Sequence, residues 1–348
     1  MTATLSVKNL RVEIPTRRGV LTAIDDVSFD IEPGEVLGVV GESGAGKSIT
    51  GSAIIGLLEP PSRVADGEIL LSGERIDNLA AGQMRRIRGK RIGMIFQDPL
   101  TSLNPLYRIG DQLTETILTH EHMSAVAARD KAEQLLVEVG IPAASTRLSS
   151  YPHQFSGGMR QRVVIALALA ADPELVIADE PTTALDVSVQ AQIIALIRRL
   201  CKERGTAVML ITHDMGVIAE TADRVCVLYA GRLAEIGAVA EVVKRPRHPY
   251  TAGLMAAIPS LADDPDARLA QIPGAMPRLD AIPKGCAFNP RCSYTFERCL
   301  KERPPVYQTD TSAASCFLHD QEHQAPVENA GRAAEAGLIP LVGSGGPA

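Results

Sequence analysis

The eight residues GESGAGKS, Gly41 to Ser48, restrict the architecture of this 348-residue chain more than any other stretch. They follow an apolar run, EVLGVV (35–40), and lead into ITGSAIIGLL, which reads as a helix. A glycine-rich turn between strand and helix lets backbone N–H groups close around phosphate oxygens, and the helix N-terminus adds partial positive charge. In that setting Gly41, Ser43, Gly44, Gly46 and Ile49 are expected around the phosphates of a nucleotide such as ATP. Lys47 should reach the β- and γ-phosphates, and Ser48 should ligate Mg2+. Such a pattern arises by chance in on the order of one chain in a hundred of this length.

The surrounding sequence suits a layered α/β fold. Besides EVLGVV, the runs RIGMIF (91–96), ELVIAD (174–179) and AVMLIT (207–212) are short and apolar throughout, as strands buried in a parallel sheet are. VCVLYAGRLAEIG (225–237) reads as a hairpin turning at Ala230-Gly231. SVQAQIIALIRRLCKER (188–204) is amphipathic and stops at Gly205, an ordinary helix terminus. Between Leu100 and Tyr151 the strand signal gives way to a helical one, as in an inserted helical subdomain. After about residue 240 proline becomes frequent (KRPRHPY, QIPGAMP, AIPKG), which suggests a separate loop-rich module, and from about 323 the alanine- and glycine-rich tail is expected to be disordered.

Composition narrows the class of partner. A net charge of −6 argues against a nucleic-acid or anionic-lipid binder, despite the basic run RRIRGKR at 85–91. The longest apolar run, Val163–Ala171, has nine residues, whereas a membrane-spanning helix needs about 20. The opening MTATLSVKNL has no basic segment followed by an apolar one. A reducing cytoplasmic setting is therefore expected, in which stable disulfides are uncommon.

LVIADE (175–180) is an apolar strand ending in two acids. Beside a phosphate-binding loop, Asp179 would hold Mg2+, directly or through water, and Glu180 would polarise an attacking water. FSGGMRQR (155–162) decides the kind of nucleotide protein. Here the chain resembles the ATP-binding-cassette (ABC) ATPases, whose signature reads LSGGQ. Phe155 stands for the leucine and Met159 for the glutamine, while the Ser156-Gly157-Gly158 core is kept. Further landmarks occur in order: IFQDP with Gln97 as the Q-loop residue, TTALD with Asp186 in the D-loop, and LITHD with His213 as the switch histidine. IFQDPLTSLNP, ADEPTTALDVSVQAQI and RHPYTAGL resemble the oligopeptide/dipeptide importer branch, and FSGGMRQR the first of its two ATPase subunits.

The resemblance implies a P-loop ABC-type domain over residues 1–240, with a RecA-like core, a β-rich subdomain and a helical subdomain at about 98–158, followed by a small loop-rich Cys-containing domain at 241–322. It implies two cassettes closing head to tail on two ATP molecules, Ser156–Met159 completing the partner's site. Gln97, Glu180 and His213 are then the catalytic set, with Gln97 joining Ser48 and Asp179 around Mg2+. The implied partners are a second ABC ATPase subunit, two transmembrane permease subunits seated near DPLTSLNPLYRIGDQL (98–113), and an extracytoplasmic peptide-binding protein. That places the chain peripherally on the cytoplasmic face of the membrane. A soluble cassette of DNA repair or translation is the rival class, and nickel complexes or glutathione are alternative cargoes. One departure stands out: where the family commonly has an aromatic that stacks on adenine, this chain reads PTRRGV, with Arg18 nearest the position. A guanidinium can also lie flat on a base, so Arg17 or Arg18 could substitute.

Four of the six cysteines, Cys286, Cys292, Cys299 and Cys316, are spaced C-x5-C-x6-C-x16-C. Structural zinc sites favour tighter knuckles. Widely spaced thiolates suit an iron–sulfur cluster, and importer ATPases resembling this chain carry a 4Fe–4S cluster in this module. Zinc, or no metal, are the alternatives. Cys201 and Cys226 read as core packing.

Overall fold

The strand Val36–Val40, buried at every residue, lies at the middle of an eight-stranded sheet in the computed structural model of the protein. The structure describes residues 2–183, 185–258 and 271–322, with 325, 326, 328, 329, 332, 333, 336 and 338. The expected disordered tail lies for the most part outside the described residues. Val36–Val40 is flanked by the parallel strands Ala207–Ile211 and Arg224–Tyr229; beyond Ala207–Ile211 come Leu175–Asp179 and Ile92–Ile95, also parallel. Helices and a second sheet cover both faces, so these strands read as continuous apolar runs rather than alternating ones.

Arg224–Tyr229 and Arg232–Ala238 form the expected hairpin. Its turn uses Ala230 (φ 49°) and Gly231 (φ 75°), the left-handed pair that a two-residue hairpin needs. A Cβ on Gly231 would lie 2.1 Å from the carbonyl oxygen of Ala23, so only glycine fits. Through Gly231 N–H, which donates to Ala45 O at 2.9 Å, the turn holds the phosphate loop from behind.

The β-rich subdomain is a four-stranded antiparallel sheet in the order Gly19–Ile31, Leu5–Thr16, Arg63–Leu71, Glu74–Arg75. Its strands carry register shifts near Asn9 and Asp26, both at positive φ. Each bulge breaks the two-residue alternation, which is why these long strands are faint in the sequence. The helical subdomain comprises Ile109–His120, Ala125–Glu138 and Ala144–Arg147, before Gly157–Ala168. Its apolar side chains Leu113, Ile117, Ala128, Ala132, Leu135 and Leu136 are buried in the larger of the two main cores. The helix Val187–Arg204 ends at Gly205 (φ 69°), in the left-handed cap the sequence predicts.

The C-terminal module is more closely joined than a separate appendage would be. Its strands Ser312–Ala314 and Tyr307–Gln308 continue the catalytic sheet beyond Arg232–Ala238, with Glu235 opposite Ala314. Without them, Arg232–Ala238 would present an open sheet edge. No helix among the described residues is long and apolar enough to cross a membrane.

Candidate active site

The loop 41–46 leads straight from the central strand into the helix Lys47–Ile54. Gly41 (φ 152°) needs to be glycine: a Cβ there would meet Leu228 O at 2.3 Å. Lys47 is 6% exposed, and its Nζ donates to Gly41 O (2.8 Å) and Glu42 O (3.1 Å). Burial pushes its ammonium pKa down, against the upward pull of Glu180, Asp179 and Glu42. Ser48 Oγ donates to Asp179 Oδ1 at 2.9 Å, which joins the helix start to the end of the neighbouring strand. Burial raises the Asp179 pKa, as does Glu180, while the Ser48 bond and Lys47 oppose the rise.

Glu180 collects three partners. Gln97 Nε2 and Thr183 Oγ1 each donate to its Oε2 at 3.1 Å, and His213 Nδ1 lies 3.2 Å from Oε1. These residues come from three places in the chain, and the parallel sheet brings their strand ends to one edge. Gln97, Glu180 and His213 line one open cleft of about 1150 Å³ together with Gly41–Ile49. Thr183 is the member that sequence reasoning missed; its place three residues after Glu180 is the only local signal.

Other predicted residues lie elsewhere. Ser156 caps the helix Gly157–Ala168, accepting from Met159 N at 3.4 Å. Ser156 and Gly157 are exposed, Gly158 and Met159 half-buried, and none of the four lines the cleft. Asp186 is an exposed helix N-cap residue. Arg18 sits on the exposed turn between Leu5–Thr16 and Gly19–Ile31, with its N–H on Thr16 Oγ1 at 3.2 Å, and is not among the residues lining the cleft.

The opposite wall of the cleft comes from the C-terminal module: Leu254, Gly274, Ala275, Met276 and Leu279. The link is built on Glu42, inside the phosphate loop. Its N–H donates to Tyr250 Oη (2.9 Å), and its carboxylate pairs with Arg291 Nη1 (3.1 Å). Arg291 lies on the faces of Tyr229 and Phe288, at 5.8 and 5.9 Å from their ring centres. Nothing in QIPGAMP marks it as part of a nucleotide cleft, because the proximity is created only by tertiary packing.

Cys286, Cys292, Cys299 and Cys316 line one small cavity of about 20 Å³ with His248, Phe288, Phe296 and Phe317. Burial pushes the Cys286 thiol up to about 12 and raises the other three. Four thiols in apolar surroundings are soft donors of the kind that both zinc and iron–sulfur clusters take. Yet no group of three or more His, Cys, Asp or Glu among the described residues could hold a metal ion. Cys201 and Cys226 are buried, as core packing requires.

Comparison with known proteins adds to this geometry. The ABC transporter family profile matches residues 24–183, and the profile "Oligopeptide/dipeptide transporter, C-terminal region" matches 234–299. The oligopeptide transport ATP-binding protein OppD of Bacillus subtilis is 49% identical over 320 residues, covering 91% of this chain and 89% of the relative. The dipeptide transport ATP-binding protein DppD of the same organism is 48% identical, over 94% and 98% of the two chains. Among solved structures, the dimeric ATP-binding cassette MJ0796, in a post-hydrolysis state with ADP and Pi, superposes with a TM-score of 0.61. It is 28% identical and covers 68% of this chain and 98% of its own.

Proposed function

The chain belongs to the ATP-binding subunits of the oligopeptide/dipeptide ABC transporters, and we propose that it hydrolyses ATP to drive peptide import through a membrane permease. The observation that carries the mechanism is Glu180, whose carboxylate meets Gln97, Thr183 and His213 in the same cleft as Lys47. In this reading residues 1–240 are the nucleotide-binding domain and 241–322 the importer-type module.

The phosphate loop, from Gly41 through Ser48 to Ile49, wraps the ATP phosphates with backbone N–H groups while Lys47 neutralises the β- and γ-oxygens. Ser48 and Asp179, with Gln97, would hold Mg2+, which neutralises phosphate charge when bound. Glu180 orients a water and takes its proton as the water oxygen attacks the γ-phosphorus; the bond to ADP breaks. His213, hydrogen-bonded to Glu180, would act as the sensor of the γ-phosphate. Ser156, Gly157, Gly158 and Met159, with Asp186, do not line this cleft and in this reading serve a second ATPase subunit's site. Closing two such surfaces expels water and strengthens every polar contact on the γ-phosphate.

Two transmembrane permease subunits and an extracytoplasmic peptide-binding protein complete the assembly, with this chain peripheral on the cytoplasmic face. The exposed Phe96, Leu100, Leu106 and Tyr107, beside the Q-loop, support a permease contact there. The four cysteines are assigned to a 4Fe–4S cluster, supported by their thiol chemistry and shared cavity. No hydrolytic residue lies among them. The test is purification from membranes with the bound partners. Two multi-spanning proteins, ATP-dependent uptake of peptides into vesicles, and iron and sulfide in the anaerobic sample are expected. A lone soluble chain without peptide-linked turnover would refute the transport role, and zinc in a colourless sample the cluster.

A further inference from the structure

We propose that the adenine of ATP rests on Met276 and Leu279 of the C-terminal module rather than on the hairpin turn at Arg17–Arg18; this rests on the ATP reading above. A purine ring needs an apolar surface beside a polar phosphate cradle. Apart from Ile49, in the first turn of the phosphate-loop helix, the large apolar side chains lining the cleft are Leu254, Met276 and Leu279, all from this module. The hairpin turn contributes nothing to the cleft: residues 16–20 are exposed, and neither Arg17, Arg18 nor Val20, its one large apolar side chain, lines it.

The loop carrying Met276 is held in place by buried polar contacts. Arg291 Nε donates to Pro273 O at 2.8 Å and Nη2 to Ile272 O at 3.4 Å, while Nη1 pairs with Glu42 in the phosphate loop. One guanidinium, its side chain 6% exposed, therefore fixes this loop to the phosphate cradle. Beyond Gly274 (φ 77°) the chain turns so that Met276 Cγ lies 3.9 Å from where a Cβ on Gly44 would be. Met276 and Leu279 also pack against the core cluster that contains Ala23 and Ala45. A thioether is polarizable and adapts to a flat ring face, which suits this role.

The consequence is that base recognition depends on the C-terminal module and phosphate recognition on the cassette. Equilibrium binding separates the two, using ATP and ribose 5′-triphosphate, which has the phosphates and sugar but no base. Met276→Ala and Leu279→Ala should each weaken ATP binding by about tenfold and leave ribose 5′-triphosphate binding unchanged. Equal losses on both ligands, or unchanged ATP affinity, would overturn the proposal. A measurement on the unaltered protein avoids any folding defect: photolysed 8-azido-ATP should label residues 271–284. Label on residues 16–20 instead would place the base at the hairpin and overturn the assignment. Were the unaltered protein to bind neither ATP nor ribose 5′-triphosphate, the ATP site itself would be wrong, a distinct result.

Discussion

Glu180 occupies a backbone conformation that most side chains avoid. Its φ is 44°, and its N–H donates to Ile211 O at 2.9 Å, so the chain turns sharply as it leaves the strand Leu175–Asp179. Left-handed backbone at a non-glycine residue costs about 1–3 kcal/mol and concentrates at functional positions. Here the turn aims the carboxylate back at Gln97 and His213. The sequence carries the identity of Glu180, as the second acid closing an apolar strand, but not this geometry. It likewise predicts Lys47 and Ser48 from loop spacing, whereas Met276 reaches the cleft, and Arg291 the phosphate-loop residue Glu42, from over two hundred residues away, with no local pattern to announce them. Glu180→Gln keeps the volume and an oxygen that can accept from Gln97 and Thr183, and its new amide can donate to His213 Nδ1. ATP binding should stay within about twofold of the unaltered protein. The amide cannot take the water's proton, so turnover should fall about 10²- to 10⁴-fold and a closed dimer should persist. ATPase rates and sedimentation with ATP check both; an unchanged rate would remove Glu180 from the mechanism.

At the scale of elements, the joint between cassette and C-terminal module centres on Glu235, which is fully buried. Its Oε1 accepts from Arg247 N (2.9 Å) and Ser312 Oγ (2.8 Å), and its Oε2 from His248 N (2.9 Å). Periodicity and the glycine cap make the helix Val187–Arg204 legible, and Ala230-Gly231 makes the hairpin legible. The strand Ser312–Ala314 is not: three residues carry no period, and its partner is some 77 positions earlier in the chain. Burial raises the Glu235 pKa above its ordinary 4.5, against its hydrogen bonds. A raised folded-state pKa means that its contribution is complete below about pH 4.5 and is lost as the pH climbs through the folded value. Glu235→Gln turns an amide N–H₂ toward a backbone or hydroxyl donor, and should cost about 2 kcal/mol. Because only the unaltered protein carries the titrating group, the gap should be widest near pH 4 and narrow toward pH 7. Chemical denaturation at both values measures it; a gap constant with pH would show that the Glu235 pKa is the same in the folded and unfolded states.

For the whole molecule, the decisive arrangement is that the two phosphate-binding helix ends do not meet. The helix from Lys47 opens onto the cleft with Gln97, Glu180 and His213, while the helix capped by Ser156 begins outside that cleft. A single chain therefore turns one helix end to its own cleft and leaves the other outside it, and in the proposed head-to-tail reading the second serves another chain's nucleotide. The helical subdomain and the phosphate loop pack into different core clusters, which share the strands of one sheet: Val36 and Val176 belong to the first, Leu37 and Ile177 to the second. This separates binding from turnover in a way that one chain can be made to reveal. Ser156→Arg adds a bulky charge at the helix start without touching the chain's own cleft. Its ATP affinity should match the unaltered protein within about twofold, whereas Lys47→Ala removes a charge-assisted contact to the phosphates and should weaken binding by one to two orders of magnitude. In the assembled transporter Ser156→Arg should nevertheless abolish hydrolysis at the site it completes on the partner ATPase, because that γ-phosphate loses its second helix N-terminus. Titration of the isolated chain with ATP, followed by turnover in the assembly, distinguishes the two faces. If Ser156→Arg weakened ATP binding to its own chain as strongly as Lys47→Ala, the signature helix would act on its own nucleotide, and the head-to-tail arrangement would have to be given up.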